Sequence, residues 1–276
     1  MVIELMEVAL STESVQVLGK IMRILDSFTP DQPRLTITEI RRITGLPPTT
    51  TARLVRTLVD HDLLRRTEDH YSIGLRSLSW TEAATAGSDL LEALGPVLVE
   101  LRDLSGETSG AYVRRGNSRV AIAVELSQRS VVYQARVGQV MPMHAGAAGK
   151  VFMAFSDDIY RAAVAQEGPD AGGALSDLGA LRSECDSIRA QGWAYTQGER
   201  EVGLNSLAAP VRDTSGLIIA TLAIGGPSLR LSPEVAERLG PEIALSAERL
   251  SRRLGWRDEA SPADTPDMPA RNRPTA

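Results

Sequence analysis

The sequence predicts an α+β chain: an N-terminal winged helix-turn-helix, a linker helix, and a C-terminal domain of helices around an antiparallel sheet. Three observations carry that prediction. The first 75 residues run helix, helix, glycine turn, helix and short hairpin, the order of a winged helix-turn-helix. Basic charge is concentrated in the same segment: seven arginines face three acidic residues over 34–66, a net +4 in a chain whose total is −5. Beyond residue 90, hairpin signals alternate with helical periodicity, the pattern of a mixed domain.

Taken in order, residues 1–12 read as loose. Ser14 opens a helix with Val15, Leu18, Met22, Leu25 and Phe28 on one face. "TPDQP" ends it, and "RLTI" is a short strand candidate. Thr38 is expected to cap a short helix, "EIRRIT", that stops at Gly45. "LPP" makes the turn into a helix from Pro48 to His61. There Leu54 and Leu58 form an apolar stripe with Val55 and Val59 beside it. Thr49, Arg53, Arg56 and Asp60 recur at steps of four, three and four, so they share the opposite face. "LLRRT" and "HYSI" read as two strands joined by a polar turn. These assignments put the winged helix-turn-helix at 13–75 and a linker helix, "RSLSWTEAATAG", at 76–88.

The remaining domain is assigned to 89–255. A helix, "DLLEALGPVLVELRDLSG", is followed by a hairpin turning at Gly116-Asn117. A further strand is expected over "SVVYQARVGQV". A helix starts near Gly146, and helical segments continue to Gln191, with Gly192 as the stop. A second hairpin turns at Asp213–Gly216, and Ser232-Pro233 caps a final helix to about Leu254. Residues 256–276, rich in Pro, Ala and charge, are expected to be disordered.

Composition removes several classes. The 276 residues are 43% apolar, enough for a real core. Cys185 is the one cysteine, so neither an internal disulfide nor a thiolate cluster is expected. The N-terminus lacks the basic region of a signal peptide. The longest apolar run, "LIIATLAI", is far shorter than the ~18 residues of a membrane span. A cytoplasmic protein with no membrane partner is expected. His61, His70 and His144 fall in separate segments, so no metal site is expected, and no nucleophile elbow is present.

"MPMHAGAAGKVFMAF", residues 141–155, invites comparison with a phosphate loop. A nucleotide-binding loop needs G-x-x-x-x-G-K-[ST], with the hydroxyl on magnesium. In "GAAGKV" the glycines stand too close together and Val151 replaces the hydroxyl residue. No nucleotide cofactor is expected, and no other cofactor is implied. Gly146, Ala147 and Ala148 nevertheless let a ligand approach the backbone closely, and a helix N-terminus there favours an anion such as a carboxylate.

The order and spacing of these motifs resemble the IclR family, the isocitrate-lyase-regulator type of bacterial transcription factor. The resemblance spans about Ser14 to Gly255. It rests on "TEIRRITGLPPTTTARLVRTLVDHDLLRR" with "YSIGLR", on "LSGET", "MPMHAGAAGKVFMAF" and "GEREVGLNSLAAPVRD", and on "IGGP". It implies that the C-terminal domain is GAF-like and binds an effector. It also implies a homodimer, or a dimer of dimers forming a homotetramer, on a palindromic double-stranded DNA operator. The start of the family's recognition helix is matched by Pro48, Thr49, Thr50 and Arg53, with Pro48 departing from the usual polar residue. Effector contacts are implied at Ala147 and Ala148, at Leu204 and Ser206, and at Ala223 and Gly225.

Thr49, Thr50 and Arg53 are therefore expected at base edges, and Arg41, Arg65 and Arg66 at phosphates. Met141, Met143 and Leu204 are expected to form an apolar wall of the effector pocket. The resemblance also implies serines at the Ala223 and Gly225 positions in members that bind small oxo-acids; neither residue carries a hydroxyl here, so a larger, partly apolar ligand is expected over a very polar small acid. The expected function is a ligand-responsive regulator, a repressor of a catabolic operon, and not an enzyme. Two other readings stay open. One is an enzyme fused to a DNA-binding head, with Glu199 and Glu201 as its acid–base pair. The other is a constitutive DNA-binding protein whose second domain only assembles oligomers.

Overall fold

The structure, a computed structural model, describes residues 16–167 and 177–257. The segment 1–12 and nearly all of the expected tail lie outside the described residues. Trp256 is described, and its ring lies against the Arg212 guanidinium, 5.9 Å away. No helix among the described residues is long and apolar enough to cross a membrane.

The head opens with α1 (Gln16–Leu25). Its core-facing side is Ile21, Ile24 and Leu25, continued by Phe28 beyond the helix end. Of the expected stripe, Leu25 and Phe28 reach this core, Leu18 and Met22 are exposed, and Ser14 and Val15 lie outside the described residues. The helix carries apolar residues on two faces, and only one can reach α2. Strand β1 (Leu35–Thr36) leads into α2 (Ile37–Thr44). Thr36, not Thr38, is the cap. Its N–H donates to Glu39 Oε2 at 2.7 Å, and the Glu39 N–H donates back to Thr36 Oγ1 at 3.3 Å. This reciprocal box satisfies two backbone donors at once, which Thr38 could not do from inside the first turn. Gly45 closes α2 at φ +66°, a left-handed position that favours glycine.

Helix α3 (Pro48–Asp60) buries Thr51, Leu54, Val55 and Leu58. Strands β2 (Leu64–Thr67) and β3 (His70–Ile73) form the wing, with β3 central between β1 and β2. Helix α4 (Arg76–Ala86) follows, bound back to the head by Arg76 Nη1 donating to the His61 carbonyl at 3.1 Å.

The larger domain is built on α5 (Asp89–Ser105), β4 (Thr108–Arg115), β5 (Ser118–Glu125), β6 (Val140–Pro142) and α6 (Ala147–Phe155). It continues with α7 (Asp157–Glu167), α8 (Leu178–Gln191), β7 (Ala194–Gln197), β8 (Leu204–Arg212), β9 (Ile218–Pro227) and α9 (Pro233–Arg253). Its six strands form an antiparallel sheet in the order β6-β5-β4-β9-β8-β7. Ala111, Leu207, Leu222 and Ile224 lie in one core with α5 and α9. Tyr112, Ala208 and Ala223 lie in the opposite core with α6 and α8. Each fully buried leucine in these layers contributes ~1.5–3 kcal/mol, so two complete cores stand behind the cavity described below.

The expected strand over 130–140 is absent except at Val140. The segment instead runs as an irregular strap. Thr108 Oγ1 donates to the Tyr133 carbonyl at 2.9 Å, and Gly138 turns the chain at φ +83°. Those two anchors bend the chain away from any continuous ladder. Strand β7 is an addition to the sequence reading.

Candidate functional sites

The head presents a charged face without neutralising partners. Arg34, Arg41, Arg42, Arg53, Arg56, Arg65 and Arg66 are all exposed. Among the described residues none of the seven makes an ion pair. In α3 the buried Leu54, Val55 and Leu58 turn the other side outward, so Thr49 and Arg53 are exposed and Thr50 is partly so. Arg41 stands at the end of α2. Arg65 and Arg66 lie on β2, where the Arg66 Nε donates to the Glu68 carbonyl at 2.9 Å and its guanidinium lies 6.0 Å from the Tyr71 ring. Helix and wing can therefore offer cations to a phosphate backbone without first breaking salt bridges, the arrangement that duplex binding requires.

The C-terminal domain contains a cavity where α6 begins. It is lined by Thr108, Tyr112, Arg119, Gly146, Ala147, Ala148, Thr196, Glu199, Leu204, Ser206, Ala223 and Ile224, and narrowed by Tyr133, Arg200 and Gly225. Its free volume is about 20 Å³, room for about one water. Tyr133 and Arg200 make it small. The Arg200 guanidinium lies over the Tyr133 ring at 5.1 Å and donates to its hydroxyl. A Cβ placed on Gly225 would come within 2.9 Å of that ring. The missing side chain at Gly225 is thus room that Tyr133 already uses, so the space expected for a larger ligand is occupied from within.

The helix N-terminus is also engaged. The Gly146 N–H donates to Glu199 Oε2 at 2.9 Å, and the Ala147 N–H donates to Ser206 Oγ at 3.2 Å. Ser206 in turn bonds the Thr196 hydroxyl at 2.8 Å. Glu199 is held by Lys150, which also binds both oxygens of Glu184 at 2.8 and 2.7 Å. The anion expected at the start of α6 is therefore a carboxylate of the chain itself. Lys150, the apparent phosphate-loop lysine, is 3% exposed and committed to two acids. Glu199 is an ion-pair partner there, and Glu201 is exposed.

Arg119, like Tyr133 and Arg200, is a cavity residue that sequence reasoning missed. It is 1% exposed. One Nη donates to the Pro142 carbonyl and the other to the Ala145 carbonyl at 2.7 Å, while Nε has no hydrogen-bond partner. Its guanidinium lies 5.9 Å from the Tyr112 ring. Removal from water pulls its pKa down to about 10, and the neighbouring Arg200 cation acts in the same direction. The same burial raises the Tyr112 phenol. Strict alternation along "SRVAIAVE" would turn Val120 and Ile122 inward. A β-bulge intervenes: Ala111 pairs with Ala123 but Tyr112 pairs with Ala121. The extra residue places Arg119 and Ala121 on the cavity side.

Of the expected effector residues, Ala147, Ala148, Leu204, Ser206, Ala223 and Gly225 come together at this cavity. Met141 and Met143 do not. Their side chains are buried, 4% and 1% exposed, in the core beneath α6. The Arg119 bonds to the Pro142 and Ala145 carbonyls draw this segment down so that the methionines face the core. Cys185 is a buried packing thiol, its pKa pushed up to about 11 by desolvation.

Comparison with known proteins agrees with this division. A family model for the bacterial transcriptional regulator IclR C-terminal domain matches residues 82–252, and one for the IclR helix-turn-helix domain matches 17–68. The HTH-type transcriptional repressor AllR of Klebsiella pneumoniae is 28% identical over 256 residues, covering 90% of this chain and 93% of the relative. An IclR transcriptional regulator from Alicyclobacillus acidocaldarius superposes with a TM-score of 0.77 at 22% identity, covering 88% of this chain and all of that one. An IclR homologue from Microbacterium hydrocarbonoxydans, solved in complex with 4-hydroxybenzoate, superposes at 0.70 with 24% identity, over 86% and 99% of the two chains.

Proposed function

Because this chain belongs to the IclR family of bacterial transcriptional regulators, we propose that it is a ligand-responsive repressor. It binds a palindromic operator as a dimer or dimer of dimers, and its C-terminal domain senses a small organic or aromatic carboxylate. The head occupies 13–75, the linker helix 76–88 and the sensing domain 89–255. The observation that carries the reading is a joint one. An exposed, unneutralised arginine face on α3 and the wing shares a chain with a small, arginine-lined cavity. The matched regulators make an enzymatic reading of Glu199 and Glu201 unnecessary, and both Glu199 oxygens are already engaged, by Lys150 and by the Gly146 N–H.

Thr49, Thr50 and Arg53 read base edges, and Arg41, Arg65 and Arg66 fix the register on phosphates. Ligand shifts the balance between two placements of the heads only through a difference in affinity for them. Two connections lead from cavity to head. One is α4, joined to α5 through the break at Gly87 and Ser88. The other is the strap that holds Tyr133 over the cavity: three residues on, Arg136 pairs with Asp31 of the head at 2.6 Å. A ligand that lifts Tyr133 therefore pulls on a segment tied to the head. The homologue solved with 4-hydroxybenzoate supports an aromatic acid as the first ligand to test.

The test is a fluorescence-anisotropy titration on operator DNA selected from random duplexes. Log affinity should fall linearly with log salt, and 4-hydroxybenzoate or a related acid should shift the curve. Salt-insensitive binding sinks the DNA-binding half. A curve that no aromatic or short 2-oxo acid moves, with no rise in melting temperature, sinks the sensing half.

A further inference from the structure

We propose that the floor of the cavity is a subsite for a single carboxylate and that Arg119 is its anchor, which makes the effector a monoanion. The inference rests on the reading of this cavity as the effector site and narrows its ligand. Three observations carry it. Arg119 is almost fully buried and has no acidic partner within ion-pairing distance among the described residues. Its Nε is an unsatisfied donor in a residue that lines the cavity. An unpaired buried donor of this kind costs free energy in the empty protein, and a ligand that accepts from it recovers that cost.

Charge arithmetic sets the stoichiometry. Lys150, Arg119 and Arg200 face Glu184 and Glu199, and both carboxylates are held by Lys150. Three cations against two anions leave one positive charge. One carboxylate neutralises it, whereas a dicarboxylate would bury an unpaired negative charge beside Glu199. The Gly146 and Ala147 amides, already bonded to Glu199 and Ser206, do not compete for the ligand. Because the cavity holds about 20 Å³, the rest of the ligand takes the place of the Tyr133 ring on Gly225, and Arg200 leaves that ring with it.

The experiment compares acids with their neutral amides by calorimetry on the full-length protein: benzoate beside benzamide, and pyruvate beside pyruvamide. The wild type should bind at least one acid ten-fold or more tightly than its amide. Arg119→Gln should bring that ratio to within two-fold, and Arg119→Lys should retain part of it. The ratio is taken within each protein, so any general loosening from the lost bonds to Pro142 and Ala145 cancels. Acids and amides that bind the wild type equally overturn the anchor without any variant, even should Arg119→Gln fail to fold. An acid preference that survives in Arg119→Gln overturns it too, while sensing by the cavity stands. Should neither acids nor amides bind the wild type, the sensing reading falls together with the anchor.

Discussion

Lys150→Met removes the charge from the buried ammonium while keeping most of the volume of its stem. In the wild type this ammonium is 3% exposed and bridges Glu184 and Glu199, whose side chains are 34% and 22% exposed. Breaking a buried ion pair by removing one partner costs ~3–5 kcal/mol. Here both orphaned carboxylates keep some contact with water, which moves the expected loss to about 2–3 kcal/mol. Repulsion between the two acids also loosens the Glu199 bond to the Gly146 N–H, so the start of α6 should fray. For a domain of this size, each kcal/mol lowers the melting temperature by roughly 2–4 °C. The variant should therefore melt roughly 4–12 °C lower by calorimetry at pH 7. Adding Glu184→Gln and Glu199→Gln should recover at least half of the loss, because the stranded charges are then gone. A loss under about 0.5 kcal/mol, or no recovery in the triple variant, would refute the claim that Lys150 is a structural counter-ion. ATP with magnesium should leave the wild-type melting curve unmoved, since the lysine is already engaged.

Further outcomes follow from other parts of the molecule. Arg53→Ala should weaken operator binding by ~1–3 kcal/mol and relax one base preference, whereas Arg66→Ala should lower the salt slope by ~1; an unchanged anisotropy titration contradicts the proposed register. Gly149→Ala should destabilise the C-terminal domain by ~1–3 kcal/mol, because a Cβ there would collide with the Met143 carbonyl and press on Arg119; a chemical-denaturation midpoint equal to wild type argues against that packing. Arg136→Ala should change stability by less than ~1 kcal/mol, as its pair with Asp31 is 49% and 79% exposed, yet it should blunt the ligand-induced change in DNA affinity. Glu39, held below its ordinary 4.5 by the bonds from Thr36, contributes stability that is present above pH ~4.5 and lost as the pH falls through its lowered value; Glu39→Gln should flatten that acid limb of the head's unfolding curve.

The head was largely legible in the chain. Its stripe of Leu54, Val55 and Leu58, the stop at Gly45 and the hairpin after Leu63 are local patterns, and local patterns specify helices, turns and short strands. Legibility failed where two local solutions competed. The first helix offers two apolar faces, and contact with α2 selects Ile21 and Ile24 over Leu18 and Met22. Thr38 was the expected cap, and the reciprocal bond with Glu39 makes the cap Thr36 instead.

The cavity was legible only as a set of small residues. Ala147, Ala148, Ala223 and Gly225 could be placed together from motifs, but motifs do not say what fills the space they leave. Tyr133 and Arg200 fill it, from segments 92 and 25 residues from Gly225 that read as an ordinary strand and an ordinary polar loop. Arg119 stood unremarked in a hairpin, because side-chain direction alternates along a strand and a bulge at Ala121–Ala123 resets which residues share a face. Periodicity and capping depend on neighbours a few residues apart and are written in the chain. Which charges share a buried space depends on how strands far apart in sequence are brought into register, and that is settled only when the sheet closes on its helices.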